Sequence, residues 1–264
     1  MEIYTKADLL KQLDEMKIKS TDTVMMHSSM KAIGEVDGGA DTVLDALSEY
    51  LADGLLVLPQ HTFESVGAEN PKFYVEKTRP HIGILTELFH DRPEVVRSLH
   101  PTHSVGALGA DAEEFTEGHE KYETPAPEGS PYWKLLDRKA KILLVGVDLI
   151  RNTYIHGIEE WVDIPDRLGD VHQDLVTVLP DGTEIQVPSL RHVPGISRNY
   201  WKVEKILADK GAIEYAHLGD ARVLVCDAER LNYYITQMLE IDPTIFSDIE
   251  PLSEENTEKF NALT

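Results

Sequence analysis

Alternation of short apolar segments with amphipathic ones is the feature that most constrains this chain. Three segments predict buried strands: TVMMH (23–27), LLVLP (55–59) and KILLVGV (141–147). Helical patterns separate them, and this order is typical of a parallel sheet. Two alternating segments around the Asp181-Gly182 turn predict an antiparallel hairpin. We therefore predict one α/β domain over residues 1–264, with a central, largely parallel but mixed sheet flanked by helices and a β-hairpin insertion in the C-terminal half.

Helix boundaries follow from capping residues and stop signals. Thr5 and Asp8 are placed to cap a first helix, and Ser130 followed by Pro131 predicts another helix start. Spacing predicts further helices over 42–52, 82–90, 152–161, 199–211 and 228–241, and a strand over 222–226. Ligands bind beyond the carboxyl ends of strands in such sheets. The loops after residues 27, 59 and 147 should therefore share one cleft.

The charge balance excludes some classes of partner. The 264 residues include 47 acidic and 25 basic side chains, which gives a formal net charge of -22. Such a field repels polyphosphates, so we expect no nucleic-acid binding. The acidity either promotes solubility alone or attracts a cationic substrate, and composition leaves both readings open.

Apolar run length, the N-terminal segment and the cysteine count predict the cellular compartment. No apolar run approaches the ~20 residues that a membrane-spanning helix needs, and the charged N-terminal segment does not resemble a signal peptide. A single cysteine, Cys226, forms no intrachain disulfide and lies in an apolar strand as a buried, inert thiol. We expect a cytoplasmic protein without a membrane partner; its oligomeric state is open, a homo-oligomer included.

The glycine-containing loop after the first buried strand has two readings. HSSMKAIGEVDGG (27–39) matches neither the Walker A pattern nor the GxGxxG dinucleotide pattern. The order strand, loop, helix still places free backbone N–H groups where an anion could bind. Alternatively, the glycines serve only the backbone geometry of a tight turn.

His156 is the best candidate for a general base. It follows the most apolar strand, and Glu159 and Glu160 stand three and four residues later, where one carboxylate shares its helix face. The alternative is a surface helix with ordinary charge pairs. His100 and His103 raise the hypothesis of a metal site, joined in space by His61 or His156, but no HExxH, HxHxD or Cys cluster occurs. We therefore predict no metal, and the absence of GxSxG removes the usual serine nucleophile.

Five segments together resemble the aminoglycoside 3-N-acetyltransferase family, enzymes that move an acetyl group from acetyl-CoA to an amine. They occur in the family's order and cover most of residues 20–165. The segments are HSSMKAIGEVDGGADTVLDAL (27–47), GLLVLPQHTF (54–63), RSLHPTHSVGALGADA (97–112), EGSPYWKLL (128–136) and KILLVGVDLIRNTYIHGIEE (141–160). The C-terminal third is similar more loosely.

The resemblance implies a role for each matching segment. The residues implied to hold the phosphate and pantetheine arms of CoA are His27, Ser28, Ser29, Met30, Gly34, Gly38, Gly39 and Ala40. Those implied to line the same cofactor tunnel are Ser98, His100, Pro101 and Ser104. The family pattern T-x-x-H-x-x-E falls on Thr153, His156 and Glu159, which makes His156 the implied base. The implied surroundings of the amine substrate are Glu64, Glu159, Glu160 and Trp161.

This resemblance implies a direct transfer in a ternary complex. The base accepts the amine proton as the bond forms, and a hydroxyl such as Thr153 or Ser104, or a backbone N–H, stabilises the oxyanion. The chain departs from the family at Ile150, where many relatives carry an acidic residue, although Asp148 is nearby. Aminoglycosides are therefore one acceptor class. The alternatives are an unrelated amine, a CoA-binding protein without transferase activity, and a metal-dependent hydrolase built on His100, His103 and His156.

Overall fold

The chain forms strands and helices along its whole described length, residues 3–264 of the computed structural model. The strands are β1 (Ile3–Tyr4), β2 (Thr23–Ser28), β3 (Glu35–Val36), β4 (Leu55–Pro59), β5 (Lys72–Tyr74), β6 (Val96–Arg97), β7 (Val105–Gly109), β8 (Lys141–Val145), β9 (Gln173–Val178), β10 (Glu184–Ser189), β11 (Ile213–Leu218) and β12 (Ala221–Asp227). The α-helices are α1 (Lys6–Glu15), α2 (Met30–Ile33), α3 (Gly39–Tyr50), α4 (Ile84–His90), α5 (Ala112–Thr116), α6 (Pro131–Asp137), α7 (Thr153–Val162), α8 (Glu204–Asp209), α9 (Ala228–Ile241) and α10 (Glu254–Asn261). The 3-10 helices are His119–Lys121, Leu149–Arg151 and Ile196–Val203.

The main sheet is mixed, as predicted. Within residues 3–264 its seven strands have the order β11-β12-β8-β2-β4-β7-β6. β2 pairs in parallel with β4 on one side and with β8 on the other, while the outer strands pair antiparallel. The parallel part is thus limited to the three central strands, whose carboxyl ends meet at one edge.

The predicted hairpin is confirmed, but it lies outside the main sheet. β9 and β10 pair antiparallel around the Asp181-Gly182 turn, and β5 joins β9 in parallel. The sequence did not predict β5, because three residues within a polar loop give no periodic signal. The small sheet packs on the segment before β7, where the Thr177 hydroxyl donates to the Leu99 carbonyl over 2.7 Å.

Alternate residues of the central strands supply two separate cores. Met25 and Leu144 belong to the core under α6, α7 and α9, whereas Met26 and Leu143 belong to the core under α1 and α3. Burial of each such side chain contributes about 1.5–3 kcal/mol. Cys226 lies fully buried in the first core, and burial raises the pKa of its thiol. The prediction of a buried thiol is confirmed.

Local signals placed most helices correctly. Thr5 and Asp8 form a capping box on α1, and the Ser130 hydroxyl accepts the Trp133 N–H at the start of α6. The helix predicted over 199–211 begins earlier, as a 3-10 helix from Ile196, and β11 and α10 were not predicted. No helix within the described part of the chain combines the length and apolar character that crossing a bilayer requires.

A buried arginine joins the two sheets. The guanidinium of Arg97 on β6 donates to the carbonyls of Val75, Thr78 and Gln60 over 2.6–3.1 Å and lies 4.6 Å from the centre of the Phe73 ring on β5. Its side chain is buried, and desolvation lowers its pKa to about 9. It therefore stays charged at neutral pH and depends on these carbonyls.

We predict that Arg97→Met lowers the free energy of unfolding by about 3–5 kcal/mol, because one buried and two partly buried carbonyl oxygens each lose a donor. Urea denaturation measures the loss. The control is Arg79→Met, which removes an exposed ion pair with Asp91 and should cost less than about 1 kcal/mol. Equal small losses in both variants would show that Arg97 does not hold the sheets together.

Candidate active site

A cavity of about 660 Å³ opens at the carboxyl ends of β2, β4 and β8. Its lining includes Ser28 at the end of β2, Pro59 at the end of β4, Val147 after β8, and Thr153 and His156 on α7. The prediction that these three loops share one cleft is confirmed. The reason is topological, since parallel neighbours end at the same edge.

His156 is held from behind by a buried tyrosine and a buried carboxylate. Its Nδ1 lies 2.6 Å from the hydroxyl oxygen of Tyr200, and that hydroxyl donates to Glu159 Oε2 over 2.6 Å. Glu159 is fully buried, and its Oε2 lies 2.9 Å from Arg167 Nε and 3.6 Å from His156 Nδ1. α7 supplies the histidine and the carboxylate one turn apart, and the 3-10 helix supplies the tyrosine.

The hydrogen bonds fix which nitrogen of His156 carries the proton. Tyr200 has a single hydroxyl hydrogen, which it donates to Glu159, so its oxygen accepts from His156 Nδ1–H. The lone pair is therefore on Nε2, and His156 is one of the residues that line the cavity. Desolvation, and secondly the charge of Arg167, hold the pKa of His156 well below its usual range. The ring is neutral at physiological pH and able to accept a proton.

Glu159 titrates near neutrality. Burial raises its pKa from 4.5 to about 7, against the opposing effects of Arg167 and the Tyr200 hydrogen bond. Above that pH it is the anion that the tyrosine and the arginine stabilise. Below it, the protonated carboxyl no longer requires the tyrosine hydrogen.

Thr153 begins α7 one turn before His156 and also lines the cavity. Its Oγ1 lies 3.3 Å from His27 Nε2. Burial lowers the pKa of His27 to about 3, so this ring is neutral as well. The arrangement puts a hydroxyl one helical turn from His156 at the wall of the cavity.

Further histidines surround the cavity floor. His61 Nε2 lies 2.9 Å from the Tyr132 hydroxyl, and His103 Nδ1 lies 2.9 Å from Thr102 Oγ1. Burial holds the pKa of both imidazoles well below the usual range. Over residues 3–264, no group of three or more His, Cys, Asp and Glu side chains has a geometry that could hold a metal ion.

Residues 27–40, from the end of β2 to the first turn of α3, divide between the cavity and the surface. The lining takes in His27, Ser28, Ser29, Met30 and Lys31. Gly34, Gly38, Gly39 and Ala40 lie outside it. The three glycines have φ of +88°, +78° and +67°, so left-handed backbone explains their presence. Asp41 in the first turn of α3 opposes an anion there, and a CoA contact of these four residues stays a prediction.

The segment before β7 supports the site from beneath. Its buried hydroxyls are engaged by the protein: Ser98 Oγ lies 2.9 Å from His119 Nδ1, and Ser104 Oγ donates to the Gln60 carbonyl over 2.8 Å. Ser98, His100, Pro101 and Ser104 are all buried and lie outside the lining, which instead includes His103. A direct contact of these four with a cofactor stays a prediction.

Among the residues implied to bind the amine, the structure places Glu64 at the cavity. Glu160 is buried, where its Oε1 contacts His192 Nε2 and accepts the Ala126 N–H over 2.9 Å. Trp161 donates from Nε1 to the Ala126 carbonyl and packs edge-on against Trp133. Glu160 and Trp161 thus have structural contacts, and their part in substrate binding stays a prediction.

Sequence reasoning missed several residues of the site. Tyr200 and Arg167 lie too far from Glu159 in the sequence for helical spacing to predict their contact. Lys31, Arg151 and the segment 81–86 line the cavity as well. Lys31 and Arg151 could have been predicted to line the cavity, because they lie shortly after the parallel strands β2 and β8.

Comparisons with known proteins agree on one family. A family model described as aminoglycoside 3-N-acetyltransferase matches residues 25–240. Aminoglycoside N(3)-acetyltransferase VII of Streptomyces paromomycinus is 31% identical over 200 residues, which cover 69% of this chain and 68% of that protein. The chain therefore aligns with about two thirds of this relative.

Solved structures share the fold over almost the whole chain. AAC-IIIb in a binary complex with CoASH gives a TM-score of 0.79 at 23% identity, covering 91% of this chain and 97% of that one. A mutant of the aminoglycoside acetyltransferase AAC(3)-IVa in complex with a gentamicin gives 0.81 at 22% identity, covering 93% and 92%. At these identities the likeness shows the fold, which is the predicted α/β class.

We predict that Arg167→Met lowers the free energy of unfolding by about 3–5 kcal/mol at pH 8, because buried Glu159 loses its cation. The loss should shrink as the pH falls toward 5, since folded Glu159, with a pKa of about 7 or above, then takes up a proton and becomes neutral.

Urea denaturation at pH 5 and at pH 8 measures the loss of unfolding free energy at each pH. Arg198→Met, which replaces an exposed arginine in the neighbouring 3-10 helix, is the control and should change little at either pH. A loss that is the same at both pH values would contradict an ionised Glu159 as the partner of Arg167.

Proposed function

The chain belongs to the aminoglycoside 3-N-acetyltransferase family, whose members are acyltransferases, and we propose that it moves an acetyl group from acetyl-CoA to an amine. The observation that carries this proposal is the neutral His156, which lines the cavity, has Nδ1 held by the Tyr200–Glu159 pair and keeps its lone pair on Nε2. Such an imidazole suits a reaction in which an attacking amine must lose a proton.

The cavity has the chemistry that acetyl-CoA requires. About 660 Å³ is within the range of pockets for small molecules. Two basic side chains, Lys31 and Arg151, line it and are exposed, so they can reach phosphate groups, while Met30 and Ile84 offer apolar surface to a pantetheine arm. When bound, acetyl-CoA supplies the thioester. We assign its phosphates to the two cations and its arm to the apolar residues.

Side chains of this protein accept the proton of the attacking amine and stabilise the resulting charge. Nε2 of His156 accepts it from the attacking amine, and the imidazolium that forms keeps Nδ1–H on the Tyr200 oxygen. Glu159 stabilises that charge through Tyr200 and directly across 3.6 Å. This support comes from groups already fixed before substrate binds, so little reorganisation is needed.

We propose that the Thr153 hydroxyl stabilises the oxyanion. Its side chain lines the cavity, whereas Ser104, the other hydroxyl considered, is buried and engaged with Gln60. A donor for the developing negative charge is typically worth about 10²–10³ in rate. We assign Thr153 this role, with His27 positioning its hydroxyl.

The acceptor class is open to direct test. A relative is named for aminoglycosides and one solved relative binds a gentamicin, so aminoglycosides are the first acceptors to assay. The competing function is a CoA-binding protein that acts on an unrelated amine or on none. Release of free CoA from acetyl-CoA across a panel of amines distinguishes these functions.

We predict that His156→Ala lowers kcat by about 10²–10⁴-fold, because general-base catalysis contributes that much. Binding of CoA, measured by calorimetry, should change little, since Lys31 and Arg151 are untouched. Loss of CoA binding together with kcat would assign His156 a structural role instead.

We predict that kcat falls as the pH drops below about 7. A protonated Glu159 donates to Tyr200, which then donates to His156 Nδ1 and moves the imidazole proton to Nε2, where it blocks proton acceptance. A kcat profile from about pH 5.5 to 8.5 measures this. Tyr200→Phe breaks the connection, so its kcat should be lower and should lack the acidic limb. A wild-type kcat that stays flat across this range would contradict this role for Glu159.

A further inference from the structure

His103 lines the cavity, and the contacts of its ring fix which nitrogen carries the proton. Its Nδ1 lies 2.9 Å from the hydroxyl oxygen of Thr102, which is fully buried. In this contact either the hydroxyl donates to Nδ1, or an N–H at Nδ1 donates to the hydroxyl oxygen. His100, three residues before His103, decides between the two arrangements.

His100 leaves the Thr102 hydroxyl with one good acceptor. Nδ1 of His100 accepts the backbone N–H of Thr102 over 3.3 Å and that of His103 over 3.2 Å, so its lone pair is occupied and it carries no proton. The Thr102 oxygen lies 3.4 Å from this nitrogen but 2.9 Å from Nδ1 of His103. Because a buried hydroxyl hydrogen needs an acceptor, Thr102 donates to His103 Nδ1.

The other nitrogen of His103 is therefore a donor. Desolvation holds the pKa of the ring well below its usual range, so the imidazole is neutral and has its N–H at Nε2. Nε2 has no hydrogen-bond partner within residues 3–264 and, unlike Nε2 of His100, it is not sealed off from solvent. Since the ring lines the cavity and its Nδ1 faces buried Thr102, Nε2–H opens to the cavity.

Tyr132 connects His103 to the part of the cavity where the proposed base lies. The hydroxyl of this buried tyrosine donates to the His103 carbonyl over 3.3 Å and also interacts with the Thr153 side chain. His156 follows Thr153 by one helical turn. The rings of His103 and His156 both pack edge-on against the ring of His192, at centroid distances of 5.3 and 5.1 Å. The N–H donor, the hydroxyl and the base thus surround one region of the cavity.

We infer that His103 is a further catalytic residue, whose Nε2–H donates, together with the Thr153 hydroxyl, to the thioester carbonyl oxygen of acetyl-CoA. This inference rests on the proposed function and adds a residue to the same reaction. A nitrogen that only donates cannot accept the proton of the amine. Its hydrogen bond gains most from an acceptor atom on which negative charge develops, and in this reaction that atom is the carbonyl oxygen.

The contact acts on the step that forms the tetrahedral intermediate. The amine nitrogen bonds to the carbonyl carbon, the π electron pair moves to the oxygen, and Nε2 of His156 takes the amine proton. His103 keeps its own proton and shares it with the oxyanion as a hydrogen bond. When the C=O bond forms again, the C–S bond breaks and the CoA sulfur leaves with the proton from His156.

The first test replaces the imidazole by a ring without a donor. We expect His103→Phe to lower kcat about 10²-fold with little change in either KM, because a donor to the oxyanion acts in the transition state. Release of CoA from acetyl-CoA is measured with gentamicin, or with the best acceptor of the amine panel if gentamicin gives no release. Calorimetric binding of CoA, which has no acetyl oxygen, should not change.

The second test keeps the ring and removes the group that orients its proton. Thr102→Val leaves His103 Nδ1 without a donor, so the proton can move to either nitrogen, and kcat should fall about 10-fold, less than on loss of the imidazole. Thr102→Ser keeps the hydroxyl and should keep kcat. The control is Thr177→Val, which removes another buried hydroxyl that donates to the same segment, at the Leu99 carbonyl, and should leave kcat unchanged.

A third readout needs no substrate. In long-range ¹H–¹⁵N NMR spectra of protein labelled at histidine nitrogen, the signals absent from His103→Phe belong to His103. They should show a protonated Nε2 and an unprotonated Nδ1. Thr102→Val should change this pattern, whereas Thr177→Val should not. A proton on Nδ1 in the wild-type protein would overturn the inference.

The kinetic outcomes separate the inference from the proposed function. Wild-type transfer with kcat retained in His103→Phe would overturn the inference and leave the proposed function standing. So would a raised KM for the amine at unchanged kcat, since His103 would then contact the bound acceptor. Wild-type protein that binds acetyl-CoA but releases no CoA with any amine would contradict the proposed function, and the inference with it.

Discussion

The site depends on a carboxylate that has been removed from water. Glu159 is fully buried, and such a charge persists only with partners that replace its hydration. Tyr200 comes from the 3-10 helix and Arg167 from the segment after α7, so one carboxylate ties three parts of the chain together. Because Tyr200 is shared with His156, the same interaction that fixes the fold fixes the tautomer of the imidazole.

The interior beside the cavity contains several buried histidines, and their burial determines their protonation state. The histidines there have pKa values held below the usual range by desolvation, so they act as neutral donors and acceptors within the core. Arg97 keeps its charge because backbone carbonyls surround it. Hydrogen bonds from Ser98 and Ser104 to neighbouring segments hold the segment before β7 under the cavity floor.

The net charge of the whole chain differs from the charge of the side chains that line the cavity. The net charge of -22 attracts cations toward the surface over a distance of about a Debye length, roughly 8–10 Å in physiological salt. The charged side chains that line the cavity are only Glu64, Lys31 and Arg151. An acidic composition therefore does not by itself indicate an acidic binding site.

The sequence by itself determined the elements and their order. Apolar runs located β2, β4 and β8, capping residues located α1 and α6, and the turn at Asp181-Gly182 located the hairpin, because each of these signals is local. The shared cleft also followed from sequence, since parallel strands must end at one edge. His156 and Glu159 could be paired because they stand one helical turn apart.

Only the tertiary structure decided which groups complete the site. Tyr200 and Arg167 reach Glu159 through chain turns that no periodicity encodes, and β5 joins β9 although the two strands are far apart in the chain. Contacts with the protein likewise could not be read from residue type: the sequence did not predict that Glu160 accepts the Ala126 N–H or that Ser104 donates to the Gln60 carbonyl. The positive φ of Gly34, Gly38 and Gly39 likewise became known only from the structure. Local signals fix where a helix or strand begins, whereas contacts between distant segments fix which side chains meet the solvent, the cavity or the core.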